Sequence, residues 1–134
     1  MSHKISSERN LLILASLALL ALTGCGGQEK WYQISSIKVS ADQQSIVAEL
    51  LFSDKREDGT FCEKVVDTEV TESASHVVVG VRVENPCESV LPWEERPTKD
   101  IGYAYPVQLR LTRPLAQRTV RDKSNDMKIP VTNN

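Results

Sequence analysis

The chain has little of what most enzyme chemistry is built from. Its 134 residues include two histidines and three cysteines, and aromatic side chains make up 5%. Beyond residue 25 one histidine remains, His76, in a stretch of turn-forming residues. A hydrolytic triad needs a nucleophile, a base and a group that orients the base, so an isolated turn histidine reads as a solvated polar residue. No Gly-x-Ser-x-Gly is present. There is no C-x-x-C, and no second histidine stands with the later cysteines, which argues against a zinc or redox pair. Residues 54–59 begin like a calcium loop, but Arg56 occupies the third position and Val65 the twelfth, where a bidentate glutamate belongs. The segment is a charged turn. The residues therefore call for no metal and no cofactor. The formal net charge is −2, so nothing global points to nucleic acid. Internal repeats are absent, and after residue 25 there is no helical periodicity.

Long apolar runs are also scarce, and the one present is at the N-terminus. Lys4 and Arg9 precede an uncharged run from Leu11 to Leu22 in which Ser16 is the only hydroxyl. Twelve helical residues reach about 18 Å, against about 30 Å for a membrane core. The run is too short to span as a permanent helix and has the length of a signal-peptide core. It ends in Leu22-Thr23-Gly24-Cys25. This tetrapeptide resembles the lipobox of bacterial lipoproteins at all four positions, which implies cleavage between Gly24 and Cys25 and lipid on the Cys25 thiol. A diacylglyceryl thioether supplies two acyl chains, the number that stable anchoring takes. The expected organisation is a signal peptide over 1–24, a lipidated tether over 25–30 and one β-domain over 31–134.

The mature part, 110 residues with 14 basic and 17 acidic groups, is one domain in size. Export places it in an oxidising compartment with two cysteines left, Cys62 and Cys87. Short alternating runs rich in valine, isoleucine and threonine, separated by turn residues, mark strands. Segments 34–39 and 46–52 form two of them, with Ile46, Ala48, Leu50 and Phe52 on one face of the second. Segments 63–71 and 77–84 form a hairpin around Glu72-Ser73-Ala74-Ser75-His76. The midpoint between Cys62 and Cys87 falls between Ala74 and Ser75, inside that turn. Folding about it sets Val70 opposite Val79, Thr68 opposite Val81, Asp67 opposite Arg82 and Val66 opposite Val83. One face then carries Val66, Thr68, Val70, Val77, Val79, Val81 and Val83, and the other is polar apart from Val65 and Val78. The same register brings the cysteines together, so a Cys62–Cys87 disulfide is predicted.

Pro86, Pro92 and Pro97 make 85–102 an irregular connection. Within it, Leu91, Trp93, Glu94 and Arg96 form a candidate binding loop in which an exposed Trp93 would be an interface anchor; alternatively Trp93 and Leu91 cover the disulfide. Glu94 and Glu95 are adjacent loop carboxylates, which points to solvation more than to acid–base work. Tyr103, Tyr105, Val107, Leu109 and Leu111 share the face of a further strand, where Pro106 demands an edge or a bulge. Segments 119–121 and 127–131 read as two short strands about an Asp122–Asp126 turn. The expected fold is all-β, a small antiparallel sandwich or barrel with one disulfide.

Charge is uneven along the chain. Residues 25–100 carry 8 basic and 15 acidic groups, and residues 101–134 carry 6 and 2. Arg110, Arg113, Arg118, Arg121, Lys123 and Lys128 either meet anionic lipid or cell-wall polymer near the anchor or balance acidic strands beside them.

From Phe61 to Asp122 the chain resembles a class of small secreted or lipid-anchored proteins common in actinobacteria. The matching residues are Cys62, Glu72, Ser73, Val77, Val79, Val81 and Cys87, then Val107, Leu109, Pro114, Leu115, Arg118, Val120 and Asp122. The second group ends in a Pro-Leu-Gly-x-Arg-x-Val-x-Asp element whose glycine is Ala116 here. The resemblance implies a disulfide-bonded β-domain at the cell surface and brings no activity with it.

These readings converge on a lipoprotein of the cell membrane or outer membrane, facing away from the cytoplasm. Its β-domain is expected to bind or to support envelope structure without catalysis, with an envelope protein or polymer as partner. An alternative is an inhibitor of an extracellular enzyme of the protease or lysozyme class, with the Trp93 loop inserted into an active site. A third is a carboxylate-dependent envelope hydrolase, which would show a concave group of Asp and Glu without basic neighbours.

Overall fold

A computed structural model describes residues 28–53, 55–87 and 102–134. The expected signal peptide and Cys25 lie outside these residues, as do Leu91, Trp93, Glu94 and Arg96. Within them the chain is all-β, two sheets face to face. The strands are β1 (Glu29–Trp31), β2 (Ile34–Val39), β3 (Ser45–Phe52), β4 (Lys64–Glu72), β5 (His76–Glu84), β6 (Tyr103–Arg110), β7 (Thr119–Asp122) and β8 (Val131–Asn133).

One sheet runs β6-β3-β2-β8. Along β3, Ile46, Ala48, Leu50 and Phe52 are all buried, the face that alternation predicts for a strand covered on one side. In β2 a bulge at Ser35 shifts the register between Ile34 and Ser36, so Ile34, Ile37 and Val39 all reach the core. Edge strand β6 holds Pro106 exposed opposite Glu49, where its missing N–H costs the ladder nothing.

In the other sheet β5 is central. Strand β4 pairs with it along its full length. Its opposite edge is shared end to end by β7, beside His76 to Val79, and β1, beside Arg82 to Glu84. Val77, Val79, Val81 and Val83 point inward and are at most 1% exposed. The hairpin pivots as predicted, with Glu72 opposite Val77, Val70 opposite Val79 and Asp67 opposite Arg82. Cys62 and Cys87 form a disulfide with Cα atoms 5.7 Å apart.

The structure differs from the sequence reading in several details. A bulge between Val65 and Asp67 sets Val65, not Val66, opposite Val83; Val65 packs on the core and Val66 is 36% exposed. One extra residue in a strand turns its neighbour outward. Thr68 faces Val81 as expected but is exposed, because β4 is an edge strand. Segment 127–131 turns back along 120–122 through the antiparallel Arg121–Lys128 bridge and the bonds from the Ile129 amide to Val120 and from the Asp122 amide to Met127. It is not a continuous strand: β8 starts at Val131 and runs parallel to β2, while β7 runs parallel to β5. The sheets are mixed rather than wholly antiparallel. Within the expected tether segment, Glu29 and Lys30 pair with Glu84 and Val83 as part of β1.

The strands give the sandwich two distinct ends. The near end carries the start of β1, Ser53 and the 55–63 segment, and the disulfide. The far end gathers the 40–44 turn, the 73–75 turn and the 111–118 loop.

Candidate functional site

At the far end, Glu72, Ser73, Leu115 and Arg118 come together. Glu72 closes β4 and Arg118 stands before β7, 46 positions apart. Their side chains meet at 3.1 Å and are 12% and 8% exposed. Arg118 also donates to the carbonyls of Ser73, Arg113, Pro114 and Leu115 at 2.9–3.3 Å, so its planar guanidinium fastens the hairpin turn to the 111–118 loop. Glu72 accepts from the Thr112 hydroxyl and amide and from the Arg113 amide. These hydrogen bonds, the Thr112 hydroxyl first, then its amide, then the Arg118 guanidinium and the Arg113 amide, lower the Glu72 carboxyl to about 2.

The remaining residues of the element serve the same construction. Leu115 and Val120 are buried. Ala116 has φ 51°, the left-handed conformation that favours glycine. Asp122 is 2% exposed and accepts from the Ile34 amide at 2.8 Å and the Ser124 amide at 2.8 Å. It thereby ties one sheet to the start of β2 in the other. The 40–44 turn docks on the same loop through the Leu115 amide on the Gln43 carbonyl, 2.7 Å, with Gln43 itself at φ 61°. Asp42 accepts from the Ser45 and Gln44 amides and the Ser40 hydroxyl, which hold its carboxyl well below the usual range.

His76 lies within this end. Its Nδ1 is 3.1 Å from the Ser73 hydroxyl and 3.0 Å from the Ser75 hydroxyl. Ser73 Oγ also donates to the His76 carbonyl and accepts the His76 amide, so this serine is part of the turn's own hydrogen bonding. A Ser-x-x-Lys spacing is present at Ser35 and Lys38. In a strand three positions put the two side chains on opposite faces, and here the bulge at Ser35 intervenes. Ser35 donates to the Glu49 carbonyl and Lys38 pairs with the Glu49 carboxylate at 3.4 Å.

A second cluster covers the outer face of the β5 sheet. Trp31 ends β1 beside Gly80, and a Cβ placed on Gly80 would come within 2.9 Å of the indole ring and 3.0 Å of Lys123 Cδ. Only glycine admits so close an approach. The Lys123 ammonium sits 4.4 Å from the ring centroid and the Arg82 guanidinium 5.5 Å, both within cation–π reach of the ring. Carboxylates surround the cations: Lys123 meets Glu69 at 2.6 Å, and Arg82 meets Asp67 at 3.0 Å and Glu29 at 3.4 Å. The isolated glycine in a valine strand was the available signal for this arrangement; its partner, 49 positions earlier, was not visible by periodicity.

The charge asymmetry has its counterpart here. Of the six late basic residues, Arg110, Arg118, Arg121 and Lys123 each pair with a carboxylate, and three of those four carboxylates lie before residue 101. Among the described residues no group of three or more His, Cys, Asp or Glu could hold a metal ion, and no helix is long and apolar enough to cross a membrane. Of the sequence-predicted sites, Cys62 and Cys87 are brought together, while Gly24, Cys25 and the Leu91–Trp93–Glu94–Arg96 loop fall outside the described residues. No protein-family model, curated protein or solved structure matches the chain.

Proposed function

We propose that this chain is a lipid-anchored cell-envelope protein whose β-domain binds or supports envelope structure without catalysis. The observation that carries the reading is the use made of the chemistry-bearing side chains. Glu72, Arg118 and Asp122 hold loops and sheets together, and Cys62 and Cys87 are bonded to each other. The outer-face carboxylates Asp67 and Glu69 have cations against them, unlike the unopposed acids of a carboxylate hydrolase. The anchor rests on Leu22-Thr23-Gly24-Cys25. The hybrid surface of Trp31, Arg82 and Lys123 offers a partner an aromatic ring and charge together, the composition of interface anchors.

Metabolic labelling with an alkynyl fatty acid tests the anchor: wild-type chain labels, and Cys25→Ser leaves an uncut, unlabelled precursor. Label that persists on the Ser variant removes the anchor reading. Crosslinking on intact cells tests the binding role, with an envelope protein or polymer as the expected adduct.

A further inference from the structure

We infer that the near end of the sandwich seats on the bilayer surface, with Leu51, Lys55, Phe61 and Tyr103 as the contact. The inference rests on the lipid anchor at Cys25 and adds to it the face that the domain presents to the membrane.

Distance is the first support. β1 begins at Glu29, four positions after Cys25, and four extended residues cover at most about 14 Å. Glu29 pairs with Glu84 at the last position of β5, whereas the turn at the other end of β5 begins at His76. At about 3.3 Å per residue, that turn is about 26 Å further along the strand than Glu29. A diacylated Cys25 therefore keeps the near end at the headgroups and leaves the far end reaching outward.

Composition is the second support. At the near end Lys55 Nζ lies 4.7 Å from the Tyr103 ring centroid and 5.6 Å from that of Phe61. These rings continue through Phe52 and Tyr105 into the core. An aromatic cluster with a lysine able to snorkel along it is the side-chain set that the water–lipid boundary selects. Of the large apolar residues most exposed among those described, Leu51 at 48% and Val66 at 36% lie at this end. Met127 and Val131 lie midway, joined to Asp122 and opposite Ile37. The far end instead presents Asp42, Thr112, Arg113 and Ala74. Near-end charges are mixed and balanced, with Lys30, Lys55, Arg56 and Lys64 against Glu29, Glu57, Asp58 and Glu84, so the seat is apolar and aromatic rather than a basic patch for anionic lipid.

The test uses the full lipidated chain in phosphatidylcholine vesicles, with photoreactive benzoylphenylalanine placed singly at Leu51, Lys55, Ala74 or Arg113. All four positions are exposed, so the fold tolerates the probe, and an intact disulfide by mass confirms it. Several-fold more phospholipid adduct from Leu51 and Lys55 than from Ala74 and Arg113 is expected, with yields unchanged in high salt. Equal yields, a reversed order, or near-end yields that collapse in high salt overturn the seat, while flotation of the protein with the vesicles shows the anchor intact. Wild-type protein that fails to float, or a Cys25→Ser variant that floats equally well, overturns the anchor and the seat with it.

Discussion

The two ends of the sandwich are closed by different physics. The near end has a covalent bond between the strand flanks and an aromatic cluster in which Phe52 is fully buried between Tyr32, Phe61 and Tyr105. The far end has a half-hidden ion pair, a ring of carbonyls around Arg118 and two non-glycine residues at positive φ. Apolar and covalent closure is indifferent to pH. Closure by Glu72 and Arg118 depends on a carboxylate staying ionised. The ends should therefore fail under different conditions.

The largest effect is expected from removing the covalent closure. A bond that joins positions 25 apart stabilises by about 3.5 kcal/mol in the chain-entropy model, a large share of the 5–15 kcal/mol typical of a small domain. Cys62→Ala with Cys87→Ala should lower the denaturant midpoint accordingly. Hydrogen exchange should rise first at Lys64 and Glu84, at the near end. A double variant as stable as the parent would show that the aromatic cluster suffices.

Next comes the ionic closure. Arg118→Ala leaves Glu72 without its cation in a poorly solvated place, and should cost about 3 kcal/mol. The pH dependence has a definite sign. The folded carboxyl of Glu72 is lowered from 4.5 to about 2, so its contribution is fully present above pH about 4.5 and is lost as the pH falls through 2. Acid titration of the wild type should expose the Thr112 and Arg113 amides before those of the near end. Glu72→Gln should flatten that part of the stability curve; an unchanged curve would place the acid sensitivity elsewhere.

A smaller effect tests the seam between β1 and β7. Gly80→Ala should cost about 1–3 kcal/mol by overpacking against Trp31. In a double-mutant cycle with Trp31→Ala most of that cost should vanish. The smallest change is a gain: Ala116→Gly relieves a left-handed alanine but loosens the unfolded chain, for a net stabilisation of about 0.5 kcal/mol by thermal midpoint.

How much of this was legible in the sequence follows from the range of each interaction. Alternation along 46–52 and 77–84 depends on neighbours two residues apart, so the buried faces of β3 and β5 could be read directly. The hairpin register was readable because one turn relates its two strands, and the cysteines test it independently. Bulges at Ser35 and at Val65–Val66 escape such a reading, since alternation does not reveal one extra residue when the two candidates are identical, Ser35 and Ser36 or Val65 and Val66. Glu72, Arg118 and Asp122 could be picked out in the sequence but not given roles, because each meets its partner across 46 or 88 positions.

The sequence by itself determined the all-β class, the inward faces of the long strands, the disulfide and the tetrapeptide at Cys25, all of them properties of local order or of a single turn. Only the tertiary structure decided that β7 and β8 run parallel to β5 and β2, that Trp31 lies on Gly80, and that Arg118 binds one loop to another. Parallel pairing and loop-to-loop contacts join segments tens of residues apart. No local periodicity encodes them, and they are chosen by which arrangement leaves the fewest apolar faces and backbone groups uncovered.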